Sequence, residues 1–293
     1  MVKVVVDSGA NIPTDLLEKY RIGVIPLLVV LDDNQEYPDG VIDSEAVISA
    51  QKAGRSVGTS APSVGYCSVF FEKLIREGHK EIIVITIPTH SSLTYGNILE
   101  AASSINEIHK GKVRIEVVDS LNVSMAQGFL ALRVAELIER GANLGTAVDF
   151  ANSYRHNLLL LVALETPKFA GQGGRVKAAR AYVGAKLGLR PPVQVIPGEE
   201  AKPLGHFLVR SKEVSKKRIL EEAAKFSGSE TQYAVVYAPD ALKDAGDTHR
   251  RLCQMTGYPE DRVIVAKAPA ALLVHAGYGA FGIAVDAGKP IVP

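Results

Sequence analysis

Three stretches of this 293-residue chain gather hydroxyls and glycines more densely than turns require. They are Gly58-Thr59-Ser60-Ala61-Pro62-Ser63, Pro88-Thr89-His90-Ser91-Ser92-Leu93-Thr94-Tyr95 and His275-Ala276-Gly277-Tyr278-Gly279. Residues of these types can hold an anion such as a carboxylate. Ser and Thr hydroxyls donate hydrogen bonds, and the free N–H groups at a helix start favour negative charge. Glycines let the backbone come close to a ligand. The candidate carboxylate-binding residues are therefore Thr59, Ser60, Ser92, Leu93 through its N–H, Thr94 and His275. Helix capping accounts for one hydroxyl of the first stretch, with Pro62 suited to a first turn, but not for all three.

Other chemistries find little support. No Walker loop, H-E-x-x-H or G-x-S-x-G is present, and the seven histidines stand apart from any metal-ligand spacing. Cys67 and Cys253 alone make neither a disulfide framework nor a cysteine metal site. Gly277-Tyr278-Gly279-Ala280-Phe281-Gly282 matches G-x-G-x-x-G letter for letter. A dinucleotide fold needs a βαβ unit of ~30 residues there and an acidic residue ~20 positions on, whereas eleven residues follow Gly282.

The elements that must position these loops alternate in the first half. Residues 3–6, 24–31, 82–87 and 113–118 are rich in Val and Ile, as buried strands are. Ile98, Ala101, Ala102, Ile105 and Ile108 recur at helical steps between two of them. Val69, Phe70 and Leu74 form a similar stripe before a stop at Gly78. This alternation predicts a parallel α/β sheet whose strand ends carry the ligand loops. The second half predicts strands at 158–164, 193–196, 207–209, 233–237, 263–266 and 281–285, with a hairpin around Pro197-Gly198. Helices are expected near 176–187, 212–226, 239–256 and 268–273. The expected organisation is an N-terminal α/β domain, 1–155, and a C-terminal mixed-sheet α+β domain, 156–293.

A hydrophobic share of 47% and 33 basic against 32 acidic residues exclude a disordered chain. The apolar runs fall short of the ~20 residues a membrane helix needs. No signal-peptide core fits before Asp7, so the expectation is a soluble, cytoplasmic protein. Charge is unevenly spread: residues 168–218 hold twelve Lys/Arg against three Glu. That segment is either a solvated face or a patch that meets phosphate or an acidic partner.

Read together, the motifs resemble the DegV family of bacterial proteins along almost the whole chain. Asp7-Ser8 resembles its opening D-S-[ST], Tyr37-Pro38-Asp39-Gly40 its Y-x-D-G, and Thr59-Ser60-Ala61-Pro62-Ser63 its T-S-Q-P-S. Ser92-Leu93-Thr94-Tyr95 aligns with S-G-T-Y, Val118-Asp119-Ser120 with the second D-S, and Thr166 through Gly173-Gly174-Arg175 with T-L-x-Y-L-x-x-G-G-R. Arg190-Pro191 stands at the family's K-P, Arg210-Ser211 at its R-T, and His275-Ala276-Gly277-Tyr278-Gly279-Ala280 at H-x-G-P-G-A. Leu93 stands where the family has glycine, Pro88 and His90 where it has small residues or Ser, and Tyr278 where it has proline.

The resemblance implies a two-domain fold with a lipid tunnel between the domains. The ligand would be a long-chain fatty acid whose carboxylate lies near the surface, where a partner fatty acid kinase subunit phosphorylates it to an acyl phosphate. It assigns Arg175, Arg210 and His275 to the phosphorylated head group or the kinase, because arginine suits planar phosphate recognition. It implies no catalysis by the chain itself, no cofactor, no metal and no nucleic acid. It implies no stable membrane insertion, while allowing transient membrane contact, and a role in phospholipid metabolism. Two alternatives stay open: a stand-alone phosphoryl or acyl transferase using His275 and Arg175, and a binder of another amphiphile. A nucleic-acid role for segment 168–218 would show as steep salt dependence, but only Phe169, Tyr182 and Phe207 interleave its charges.

Overall fold

Val4, Val5 and Val6 are β-branched and buried, and they form the middle of the first strand at the centre of a parallel sheet. The computed structural model describes residues 2–32, 34–176, 179, 188–205, 208–289 and 291. Through residue 154 the strands are β1 (Lys3–Asp7), β2 (Gly23–Ile25), β3 (Leu28–Leu31), β4 (Glu36–Pro38), β5 (Val57–Ser60), β6 (Glu81–Thr86) and β7 (Arg114–Asp119). The helices there are α1 (Thr14–Lys19), α2 (Ser44–Lys52), α3 (Val64–Arg76), α4 (Thr94–Ile108), α5 (Ser124–Glu139) and α6 (Leu144–Tyr154). β2-β1-β6-β7 is the parallel sheet, in that order.

Residues 24–31 are not one strand. Pro26 has no N–H to give a ladder, and the Leu27 N–H donates to Ser8 Oγ at 3.0 Å. The chain therefore leaves the parallel sheet after Ile25 and enters a separate antiparallel sheet, β4-β3-β5, which the sequence reading missed. Helical faces also shift. α3 buries Cys67, Phe71 and Leu74, leaving Val69 at 67% exposure. α4 buries Ile98, Ala101, Ala102 and Ile105, but Ile108 ends the helix at 65% exposure.

Beyond residue 157 the strands are β8 (Leu158–Ala163), β9 (Pro192–Val195), β10 (Lys202–Pro203), β11 (Gln232–Tyr237), β12 (Ile264–Lys267) and β13 (Phe281–Asp286). They form one mixed sheet in the order β10-β9-β8-β13-β11-β12. The described helices include α7 (Lys168–Gln172), α8 (Lys212–Ala224), α9 (Leu242–Thr256) and α10 (Ala270–Ala276). The turn around Pro197-Gly198 does reverse the chain, but its return strand is Lys202–Pro203. Leu208 and Val209 are not in a strand, and Phe207 lies outside the described residues. Most of the expected helix 176–187 also lies outside them.

The parallel and mixed sheets meet through α5. Its buried residues run from Ser124 to Ile138 around the whole helix, because it packs on β1 and β6 on one side and on β8, β11 and β13 on the other. Apolar packing is continuous between the halves: Val4, Val6 and Phe129 share a cluster with Leu160, Ala234 and Val236.

Candidate functional site

β5 ends in Thr59 and Ser60, and the helix that follows does not need their hydroxyls. Ser63 caps α3, its Oγ accepting the Tyr66 N–H at 3.1 Å. Thr59 is free to turn to the last turn of α10, where its Oγ1 lies 2.9 Å from His275 Nε2. His275 keeps some exposed surface, yet its Nδ1 is sealed from solvent and has no hydrogen-bond partner. Gly173 makes that placement feasible, since a Cβ there would stand 2.3 Å from His275 Nδ1. Burial, and next the positive charge of Arg175, push His275 down to about 3. The imidazole is neutral at pH 7.

Ser92 sits at the opposite wall. Its Oγ accepts the Thr94 N–H at 3.2 Å and lies 2.8 Å from Thr94 Oγ1, so Ser92 closes the start of α4. Arg175 spans the gap between the walls: its Nε donates to the Ser91 carbonyl at 3.2 Å and its Nη1 to the Gly173 carbonyl. Partial burial moves this guanidinium below its ordinary value, which still leaves it charged at pH 7. No carboxylate pairs with Arg175 among the described residues.

Two cavities of about 130 Å³ each open between these walls. The mouth cavity is lined by Thr59, Ser60, His90, Ser91, Ser92, Arg175 and His275, with Leu27 and Ile87 below. The inner cavity lies on the face of the mixed sheet carrying Leu160, Val162, Val193, Val195 and Val236, under Leu272 and Leu273 of α10. The two share Val123, Arg175, Val195, Ala201, Leu272 and His275 as wall, making one path from polar mouth to apolar interior. Outside, Thr59, Arg175 and His275 also border a surface pocket of about 530 Å³ that carries Lys168 and Gln172.

Of the residues singled out from sequence, Thr59, Ser60, Ser92, Arg175 and His275 come together around the mouth. Thr94 is buried behind Ser92 and does not line it. Leu93 points outward at 75% exposure. Arg210 is exposed and lines neither cavity; its carbonyl accepts from Arg190 Nη1 at 3.2 Å. The sequence reading gave His90 and Ser91 no place in the site, although both belong to the loop it quoted. Val123, Ala201 and Leu272 carried no signal, because an apolar wall residue looks like any core residue in sequence.

Four cations of the basic segment pair with acids from beyond it. Arg190 pairs with Glu165, Lys212 with Glu165 and Asp244, Lys216 with Asp244 and Asp247, and Lys217 with Glu221. Lys177, Arg180 and Lys186, as well as Tyr182, lie outside the described residues. Among the described residues no cluster of three His, Cys, Asp or Glu could hold a metal, and no helix is long and apolar enough to cross a membrane.

Comparison with known proteins agrees with this architecture. The sequence profile of the DegV family, described as an uncharacterised protein family, matches residues 1–287. A DegV domain-containing protein of Streptomyces coelicolor is 28% identical over 289 residues, covering 97% of this chain and 98% of the relative. A Thermus thermophilus structure described as fatty acid binding of a DegV family protein superposes with a TM-score of 0.84 at 23% identity, covering 97% of this chain and 99% of that one. A stearic acid-binding protein from Eubacterium ventriosum gives 0.85 at 23% identity over 97% and 98% of the two chains. DegV of Bacillus subtilis, described as a fatty acid binding protein, gives 0.78 at 25% identity with the same coverage. With a profile match along nearly its full length and the same mixed α/β architecture, the chain belongs to the DegV family.

Proposed function

We propose that this protein binds a long-chain fatty acid, with the acyl chain in the inner cavity and the carboxylate at the mouth against Thr59, Ser60, Ser92 and His275. The observation that carries the reading is the meeting of hydroxyls and a sealed imidazole at the opening of a path with apolar walls. Burying about fifteen methylenes at ~0.8 kcal/mol each contributes roughly 12 kcal/mol before the costs of binding. A carboxylate taken from water without partners costs several kcal/mol, so its donors decide whether the ligand seats. The hydroxyls supply donors, the neutral His275 orients the Thr59 hydroxyl through Nε2, and Arg175 supplies unpaired positive charge. Leu93 and Thr94 contribute as the helix start that fixes Ser92. The fatty-acid-binding proteins of Thermus, Eubacterium and Bacillus that share this fold support the same reading.

The finer role we propose is presentation of the carboxylate to a partner kinase, with this chain contributing no catalysis. Arg175 and His275 border both the mouth and the outer pocket, where an incoming phosphoryl group would approach. Arg210, exposed at the start of α8, would serve the kinase rather than the lipid. The chain divides functionally at 155/156, with α6 completing the parallel-sheet unit and β8 opening the mixed-sheet unit. We assign the protein to the cytoplasm on the same reading. With a cognate kinase, Arg210→Ala should keep fatty-acid affinity within a few-fold and lower acyl-phosphate formation at least tenfold. A variant that loses the fatty acid, or is phosphorylated normally, contradicts this division of labour.

A further inference from the structure

The Asp-Ser motifs at the ends of β1 and β7 and the Asp39 motif after β4 line no part of the mouth cavity, yet Asp7, Ser8 and Asp39 hold backbone that does, and Asp119 holds Thr89, the residue before His90 of the mouth. β6 lies between β1 and β7, and its outgoing loop carries His90, Ser91 and Ser92 to the mouth. That loop is gripped from both sides. Asp7 Oδ2 accepts the Ile87 N–H at 2.7 Å, and Asp119 Oδ2 accepts the Thr89 N–H at 3.1 Å. Each acid is itself fixed. Asp7 also accepts from Gly9 N at 2.9 Å and Gln127 Nε2 at 3.2 Å, and Asp119 accepts from Leu121 N at 2.7 Å.

The opposite wall is tied to the same network. Ser8 Oγ accepts the Leu27 N–H at 3.0 Å and donates to Asp39 Oδ2 at 2.7 Å. Asp39 Oδ1 in turn accepts the N–H of Ala271, in the first turn of the helix that ends in His275, at 3.4 Å. Of the residues whose N–H groups are held, Leu27, Ile87 and Ala271 line the mouth, and Thr89 adjoins its His90. A run of short polar contacts thus connects the loop bearing Ser92 to the helix bearing His275.

We infer that Asp7, Ser8, Asp39 and Asp119 are positioning residues for the ligand's charged head group, setting the distance between the Ser92 loop and His275. Because a hydrogen bond to a carboxylate is lost with small displacements, slackening this network weakens head-group recognition and leaves the acyl-chain path intact. The inference rests on the fatty-acid reading above. Its test uses the full-length, delipidated protein and displacement of a fluorescent fatty-acid analogue by two competitors of equal chain length, hexadecanoic acid and hexadecan-1-ol.

Ser8→Ala and Asp119→Asn should each lower the affinity of the acid fivefold or more while changing that of the alcohol less than twofold. Ser8 is part-exposed, so its variant serves if Asp119→Asn fails to fold. An equal fall for acid and alcohol would reduce these residues to general supports of the fold, and unchanged values for both would leave the network without a role in binding; either overturns the inference. If wild type binds neither competitor, the fatty-acid reading itself fails, a result distinct from both.

Discussion

His275 packs against Gly173 so closely that a methyl group on Gly173 would stand 2.3 Å from the ring nitrogen Nδ1. Gly173 has an ordinary φ of −69°, so the glycine is there for space and not for backbone freedom. It explains why a Gly-Gly-Arg turn and a histidine about a hundred residues later belong to one site. Gly173→Ala should push the imidazole off Thr59 at a cost of about 1–3 kcal/mol, as overpacking usually does. Urea unfolding and fluorescent fatty-acid titration check it. Unchanged stability with unchanged binding would show that the ring has room to move.

Thr59 Oγ1 reaches His275 Nε2 at 2.9 Å. Thr59→Val keeps the shape and removes the hydroxyl, leaving a buried acceptor unmatched, a loss of about 1–3 kcal/mol. Fatty-acid affinity should fall accordingly, with the thermal midpoint little changed. Equal affinity in the two proteins removes Thr59 from the head-group site.

In the folded chain His275 is held neutral down to about 3, whereas an unfolded histidine titrates near ~6.5. Between those values the unfolded chain binds a proton that the folded chain refuses. Stability from this group is complete above pH ~6.5 and is lost as pH falls toward 3. At pH 5 the loss is about 2 kcal/mol. His275→Gln should therefore gain about 2 kcal/mol on wild type in urea unfolding between pH 7.5 and pH 5. No change in that difference would mean that the folded ring protonates freely.

Asp7 behaves in the opposite sense. Burial pushes its carboxyl up to about 7, against the pull of the donors from Ile87, Gln127 and Gly9. The folded chain then holds a proton that an unfolded carboxyl, near ~3.9, has already released. The contribution is present at low pH and lost as pH rises through 7. Asp7→Asn should remove this slope, so that wild type loses about 3 kcal/mol relative to the variant between pH 5 and pH 8. Parallel stability profiles would contradict it.

Much of this was legible beforehand, and the gaps have physical causes. Val and Ile runs marked the parallel strands, and the hydroxyl loops named Thr59, Ser60 and Ser92, which the fold brings to one cavity. The small antiparallel sheet was not legible, because Glu36–Pro38 is short and polar and Pro26 interrupts an otherwise continuous apolar run. Ile108 and Val69 fit a stripe by spacing alone, while burial depends on what packs opposite. The Gly277–Gly282 pattern imitated a nucleotide loop. In the fold Gly277 yields to the Phe169 ring and Gly279 to the Glu165 side chain, contacts that join residues far apart in sequence.

The central claim is that the path behind Thr59, Ser92 and His275 holds a fatty acyl chain. The most direct test is mass spectrometry of the purified full-length protein under native conditions, followed by organic extraction and identification of the released lipid. The account predicts about one long-chain fatty acid per protein molecule, reduced in Thr59→Val. A protein that carries no lipid and takes up none from added fatty acid would contradict it.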